Sequence, residues 1–168
     1  DGSKTHKWVL EGLFGECERV TKTDDLIKEG YLSKFRIKVL LCKHAPQHFE
    51  SYHDEMEYLV EHKGRNNLIK NLVNDLDGNT LVLFNYVEKH GTPLYELINN
   101  IINPERKLFF VHGGTEVEDR EEVRQITETE SNAIIVASYG TFSTGINIKR
   151  LHNIVFASPS KSRSASKG

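Results

Sequence analysis

Ile134-Ile-Val-Ala-Ser-Tyr-Gly-Thr-Phe-Ser-Thr-Gly-Ile-Asn-Ile-Lys-Arg-Leu-His-Asn-Ile-Val-Phe-Ala157 opens and closes on short apolar runs with a polar segment between them. Neither run is long enough for a helix, and the first is apolar without alternation. That is the pattern of a strand buried on both faces, which requires crossover helices above and below the sheet. Upstream the same grammar repeats. Residues 117–130 form an amphipathic helical pattern, 107–111 an apolar strand, 87–101 mostly helix interrupted by Pro93, and 80–84 another apolar strand. Strand, helix, strand, helix, strand predicts an α/β fold with a mainly parallel, doubly wound sheet and helices on both faces.

The first 79 residues are mixed. Trp8, Val9 and Leu13 at helical spacing predict a helix over 5–13, and Thr23-Asp24-Asp25 opens a second that ends at Gly30. Residues 34–42 alternate through Phe35, Ile37, Val39 and Leu41, the period of a half-buried strand closed by Pro46. Two helical stripes follow, Phe49, Tyr52, Met56, Leu59 and Val60, then Leu68, Ile69, Leu72, Val73 and Leu76, and Asp77-Gly78-Asn79 turns the chain.

Composition narrows the class. The chain has 168 residues, 38% hydrophobic and 27% charged, enough for one globular domain. Its longest apolar runs, of about four residues, fall far short of the roughly 18 to 20 that cross a bilayer. Cys17 and Cys42 stand at no metal-ligand spacing and cannot build a disulfide framework, so the expected compartment is the cytoplasm. The net charge of -2 hides a polarity: residues 116–130 carry seven acids, and after Glu130 there are none, only Lys149, Arg150, Lys161, Arg163 and Lys167. A basic end of this kind suits an anionic partner, and a solvated tail accounts equally well for Lys161 to Lys167.

Ligands of an open parallel sheet bind beyond the carboxyl ends of its strands. Those positions hold Asn85-Tyr86, His112-Gly113-Gly114-Thr115, and Ser138-Tyr139-Gly140-Thr141-Phe142-Ser143-Thr144-Gly145. Consecutive glycines let backbone N–H groups converge, and hydroxyls beside a helix start add donors, which together suit a phosphate oxygen. Each element alone is also ordinary turn chemistry. No glycine is followed by lysine, so a phosphate loop G-x-x-x-x-G-K-[ST] cannot be written, and no G-x-G-x-x-G follows a strand. Asp54-Glu55-Met56-Glu57 lies inside an amphipathic helix and reads as a solvated face. Cys42, His44, His48 and His53 are crowded, but Pro46 breaks their metal-ligand spacing. His112 has no nucleophile or carboxylate partner at a recognisable spacing, so no catalytic residue is assigned.

Taken in order, these strand ends resemble the second RecA-like domain of superfamily 2 helicases. Thr80-Leu-Val-Leu-Phe-Asn-Tyr-Val87 resembles motif IV. Leu108-Phe-Phe-Val-His-Gly-Gly-Thr115, with Arg120 in the helix beyond, is similar to the family's next strand and turn. The stretch from Ile134 to Ala157 resembles motif V, and its wording is similar to a branch of phage recombination helicases that remodel branched DNA by translocating on duplex. The resemblance implies a RecA-like, three-layer fold of the P-loop NTPase type. It implies nucleotide-facing Gly145 and Asn147, which match the family's Gly-x-Asp or Gly-x-Asn. It also implies nucleic-acid contacts at Asn85, His112, Gly113, Gly114, Ser138, Thr141, Ser143 and Thr144, joined by Lys149 and Arg150 from the basic stretch.

The implied organisation is a lead-in of helices, strand and spacer over 1–79, a RecA-like lobe over 80–158, and a basic tail or truncation point over 159–168. Motif VI, with its arginine finger, is expected just after Arg163, where the sequence reads Ser-Ala-Ser-Lys-Gly instead. The implied partners are branched or duplex DNA and an N-terminal RecA-like lobe of the same polypeptide, with no membrane. ATP and magnesium would serve the two-lobe protein and would not be held by this chain alone. Two other readings stay open: a stand-alone phosphate- or nucleic-acid-binding α/β module, and a flavodoxin-shaped enzyme with His112 in its site.

Overall fold

Four strands, Thr80–Phe84 (β1), Leu108–Val111 (β2), Ile134–Ser138 (β3) and Asn153–Phe156 (β4), make one sheet in the order β2-β3-β1-β4. All pairings are parallel, with Thr80 opposite both Ile134 and Asn153, and Leu108 opposite Ile134. The structure is a computed structural model that describes Lys38, Leu40, residues 45–143 and residues 148–159. The chain divides into two compact units, Gln47–Pro159 and a second made of Asp1–Pro46 with Ser160–Gly168. The helices expected over 5–13 and 23–30 and the tail over 160–168 lie outside the described residues. So does the strand expected over 34–42, apart from Lys38 and Leu40.

The helices are Tyr52–Glu61 (α1), Lys63–Asp75 (α2), Thr92–Ile101 (α3), Val117–Thr129 (α4) and the single turn Tyr139–Ser143 (α5). From β1 to β2 the chain steps across β3, and from β2 to β3 it steps back. Right-handed crossovers in opposite directions put their helices on opposite faces of a sheet. The cores show this division. Val82, Phe84, Ile134 and Val136 pack with Ile69 and Val73 of α2 and with Leu94 and Ile98 of α3. Leu81, Leu83, Ile135 and Ala137 face the other way, toward Val123 of α4 and Tyr139 and Phe142 of α5. The alternation is the period of two in a strand, with both faces buried. The three-layer α/β arrangement is therefore the one expected from the sequence. α2, which the sequence grouped with the lead-in, contributes directly to the first core.

Local chemistry sets the element ends. Ser51 Oγ accepts the Asp54 N–H at 3.1 Å to cap α1, and His62 Nδ1 accepts the Arg65 N–H at 3.1 Å to cap α2. At the far end of α2 the Arg106 guanidinium donates to the carbonyls of Val73, Asn74, Leu76 and Gly78, satisfying acceptors that a helix end leaves over. Gly78 sits at φ +95°, and a Cβ there would meet the His152 ring at 2.8 Å. Asn79, fully buried, ties the amino ends of the strands together. Its Nδ2 donates to the carbonyls of Glu130 and Arg150, both at 2.8 Å, and its Oδ1 accepts the Ala133 N–H at 2.9 Å.

Two expectations need correction. The helix read from residue 87 begins instead as a π-helical turn, Val87–Gly91, before Pro93 opens α3 in its first turn. The extra residue fits because Gly91 has no side chain: a Cβ there would lie 2.5 Å from the Phe84 ring. The polar segment after residue 137 is also not a plain loop, since Ser138 ends β3 and Tyr139–Ser143 form α5.

Candidate functional site at the carboxyl edge of the sheet

The connections leaving β1 and β3 diverge to opposite faces although the two strands are neighbours, so the crevice between their carboxyl ends is the sheet's topological switch point. Asn85 leaves β1 exposed at this crevice. Its backbone N–H donates to Ser158 Oγ at 3.3 Å, and its Nδ2 donates to the Pro159 carbonyl at 3.0 Å. Beyond β3 lie Ser138 and Tyr139. The Tyr139 hydroxyl donates to the Ser158 carbonyl at 2.7 Å, and burial pushes its pKa up to about 12. Ser158, just past β4, is thus bonded from the exits of both β1 and β3.

Beyond β2 the Gly-Gly turn is built by its own neighbours. The His112 N–H donates to Thr115 Oγ1 at 3.0 Å, and the Thr115 N–H donates to the His112 carbonyl at 3.0 Å. The Gly114 N–H donates to His112 Nδ1 at 3.1 Å, which leaves Nε2–H as the ring's remaining donor. The ring also rests 5.2 Å from the Phe110 ring. Gly113 and Gly114 are exposed, with nothing within 4 Å of a Cβ placed on Gly113. Arg120, in the first turn of α4, donates from Nε to the Thr115 carbonyl at 2.8 Å, so a cation stands beside this turn.

The hydroxyls after β3 are already occupied. Ser138 Oγ and Thr141 Oγ1 are buried and bond each other at 2.7 Å, and Ser143 Oγ donates to the Gly140 carbonyl at 2.9 Å. Ser138 and Thr141 therefore build the one-turn helix, while Gly140 and Ser143 remain exposed on it. Thr144, Gly145 and Asn147 lie outside the described residues.

Lys149 and Arg150 are not brought to this edge. Lys149 Nζ stands 3.5 Å from Glu128, Arg150 Nη1 donates to the Glu128 carbonyl at 3.3 Å, and the Arg150 carbonyl accepts from Asn79. That is the amino end of the sheet, at the last turn of α4. The sequence reading missed a different cation: Arg65, half-buried near the start of α2, lies close enough to Tyr139 and His90 to act on both electrostatically. No local signal marks it, because it comes from a helix that precedes every strand of the sheet.

Among the described residues, no three His, Cys, Asp or Glu side chains converge as a metal-holding group. These residues do not fit a magnesium ion. No helix among the described residues is long and apolar enough to cross a membrane.

A parallel, three-layer sheet carrying helicase-like sequences on three strand ends at its carboxyl edge defines a RecA-like domain of the superfamily 2 helicase class. The chain carries a UvsW-like helicase domain: it is 32% identical over 161 residues to the ATP-dependent DNA helicase uvsW of Enterobacteria phage T4. That alignment takes in 90% of this chain and 31% of the T4 protein, so the chain spans about a third of its relative's length. The crystal structure of T4 UvsW matches with a TM-score of 0.59 and 35% identity, over 68% of this chain and 23% of that one. No family model matches the chain.

Proposed function

We propose that this chain serves as the second motor lobe of an ATP-dependent DNA helicase or translocase that remodels branched DNA in phage recombination and replication, inside the host cytoplasm. In this reading the carboxyl edge of the sheet grips the DNA backbone. Gly145 and Asn147 face a nucleotide held mainly by an N-terminal lobe of the same polypeptide, and that lobe supplies the phosphate loop and the magnesium carboxylates. The observation that carries the reading is the carboxyl edge of the sheet, where the exposed Gly113-Gly114 turn, the His112 donor and Arg120 lie beyond β2, the strand next to β3. Backbone N–H groups with a nearby cation recognise phosphate oxygens irrespective of base sequence.

The test is DNA binding as a function of salt. The chain's affinity for duplex and branched oligonucleotides should fall as salt rises, and Arg120→Gln should flatten the log–log slope by about one unit, the signature of one lost phosphate contact. Lys149→Gln with Arg150→Gln, at the opposite end of the sheet, should leave that slope unchanged. The reverse pattern would move the DNA track to the amino end. Salt-independent affinity in the parent chain would rule the track out.

A further inference from the structure

Three buried polar side chains run behind the carboxyl edge: His90 at 0% exposure, Ser158 at 2% and Asn66 at 5%. They connect end to end. Asn66 Nδ2 donates to the Val60 carbonyl at 2.8 Å, Asn66 Oδ1 meets His90 Nε2 at 3.1 Å, and His90 Nδ1 meets Ser158 Oγ at 2.8 Å. Ser158 Oγ in turn accepts the Asn85 N–H at 3.3 Å.

The direction of this chain is dictated from one end. A backbone carbonyl can only accept, so Val60 fixes the Asn66 amide with its NH2 inward and its oxygen toward His90. That oxygen requires His90 Nε2 to carry the proton. Nδ1 is then an acceptor, which takes the Ser158 hydroxyl hydrogen and leaves the Ser158 lone pairs for the Asn85 N–H. A satisfied buried network of this kind specifies one arrangement, where an apolar filling of the same space would specify none. The π-helical turn is the device that brings His90 inward, and such turns occur often at functional sites.

We propose that His90 is a positioning residue of the carboxyl edge: through Ser158 it latches the exit of β4 to the exit of β1, and so holds Asn85 in the geometry that DNA binding uses. The link to DNA rests on the function proposed above, whereas the latch itself does not.

The experiment compares three variants of the full chain. Asn places an acceptor where Nδ1 stands, so His90→Asn should keep the bond from Ser158, while His90→Leu removes it and Ser158→Ala removes its other half. Amide hydrogen exchange at Asn85 should accelerate about tenfold or more in His90→Leu and Ser158→Ala, and return near the parent rate in His90→Asn. The Thr80 amide, at the other end of β1, should be unaffected. Under conditions where all variants are folded, affinity for a duplex oligonucleotide should follow the same ranking. The double variant His90→Leu/Ser158→Ala should be no weaker than either single one, as expected for two halves of one contact. Ser158→Ala, the smallest change, keeps the test open if His90→Leu does not fold. Uniform acceleration along β1, or no change at Asn85, would overturn the latch. Selective acceleration with unaltered affinity would overturn its positioning role. A parent chain that binds no DNA would overturn the proposed function and leave the exchange measurement to decide the latch.

Discussion

At the scale of single residues, the side chains that matter most are polar and wholly or partly buried. Asn79 and Arg106 gather backbone carbonyls at the amino end of the sheet and the end of α2, groups that would each cost about 1–3 kcal/mol if left unsatisfied. At the carboxyl end His90 joins two buried side chains, Asn66 and Ser158, with a titratable ring. Burial, with the Arg65 guanidinium nearby, pushes its pKa down to about 4 from the ordinary 6.5. The unfolded chain therefore takes up a proton at this position before the folded one does. The stabilising effect of the neutral ring is complete above pH 6.5 and is lost as pH falls toward 4, by roughly 3 kcal/mol at most. Urea unfolding from pH 7 to pH 4 should show this loss, and His90→Asn should remove that part of the pH dependence. A His90→Asn profile parallel to the parent's would show that the ring is not held neutral.

At the scale of elements, the π-helical turn is the departure from regularity that makes the site. Closing Val87–Gly91 on the Tyr86 carbonyl, which accepts the Gly91 N–H at 2.8 Å, turns His90 into the interior and presses Gly91 against Phe84. Phe84 is fully buried in the core shared with α2 and α3 and stacks 5.7 Å from Phe110, so it has little room to yield. Gly91→Ala should therefore destabilise the chain by about 1–3 kcal/mol, the range for overpacking a filled core. The check is a lowered midpoint of denaturant unfolding, and Phe84→Leu in the Gly91→Ala background should destabilise less than it does in the parent. Additive losses would mean that the two groups do not collide. The other helix ends follow ordinary chemistry, with Ser51 and His62 as caps and Pro93 in a first turn.

At the scale of the whole molecule, the unit Gln47–Pro159 buries both faces of its own sheet, so this unit has the cores it needs to fold. Phosphoryl transfer in the helicase class depends on positioned cations: a phosphate-loop lysine, a carboxylate-held magnesium ion and an arginine finger. The finger alone is worth about 10³ to 10⁵ in rate. The chain's 168 residues hold no Gly-Lys pair with which to write a phosphate loop. The purified chain should fold, melt cooperatively and release phosphate from ATP only at background, with or without branched DNA. Turnover that persists through repurification would refute its assignment as one lobe of a two-lobe motor.

The amino-acid sequence by itself determined the strands from Thr80 on, the crossovers between them and the three-layer architecture, because hydrophobic period is local and can be read within a dozen residues. It also marked the Gly113-Gly114 turn and the Ser138 segment as strand exits, since a parallel sheet puts every exit on one edge. What the tertiary structure alone decided is which polar groups meet there. Lys149 and Arg150 follow Ser138 by only about a dozen residues, yet the return to the start of β4 carries them to the opposite edge, against Glu128. Asn66, His90 and Ser158 come from three separate elements and meet in one line behind the site. A hydrogen bond depends on distance and direction in space, and neither is written in the spacing of residues whose connecting chain crosses the whole sheet.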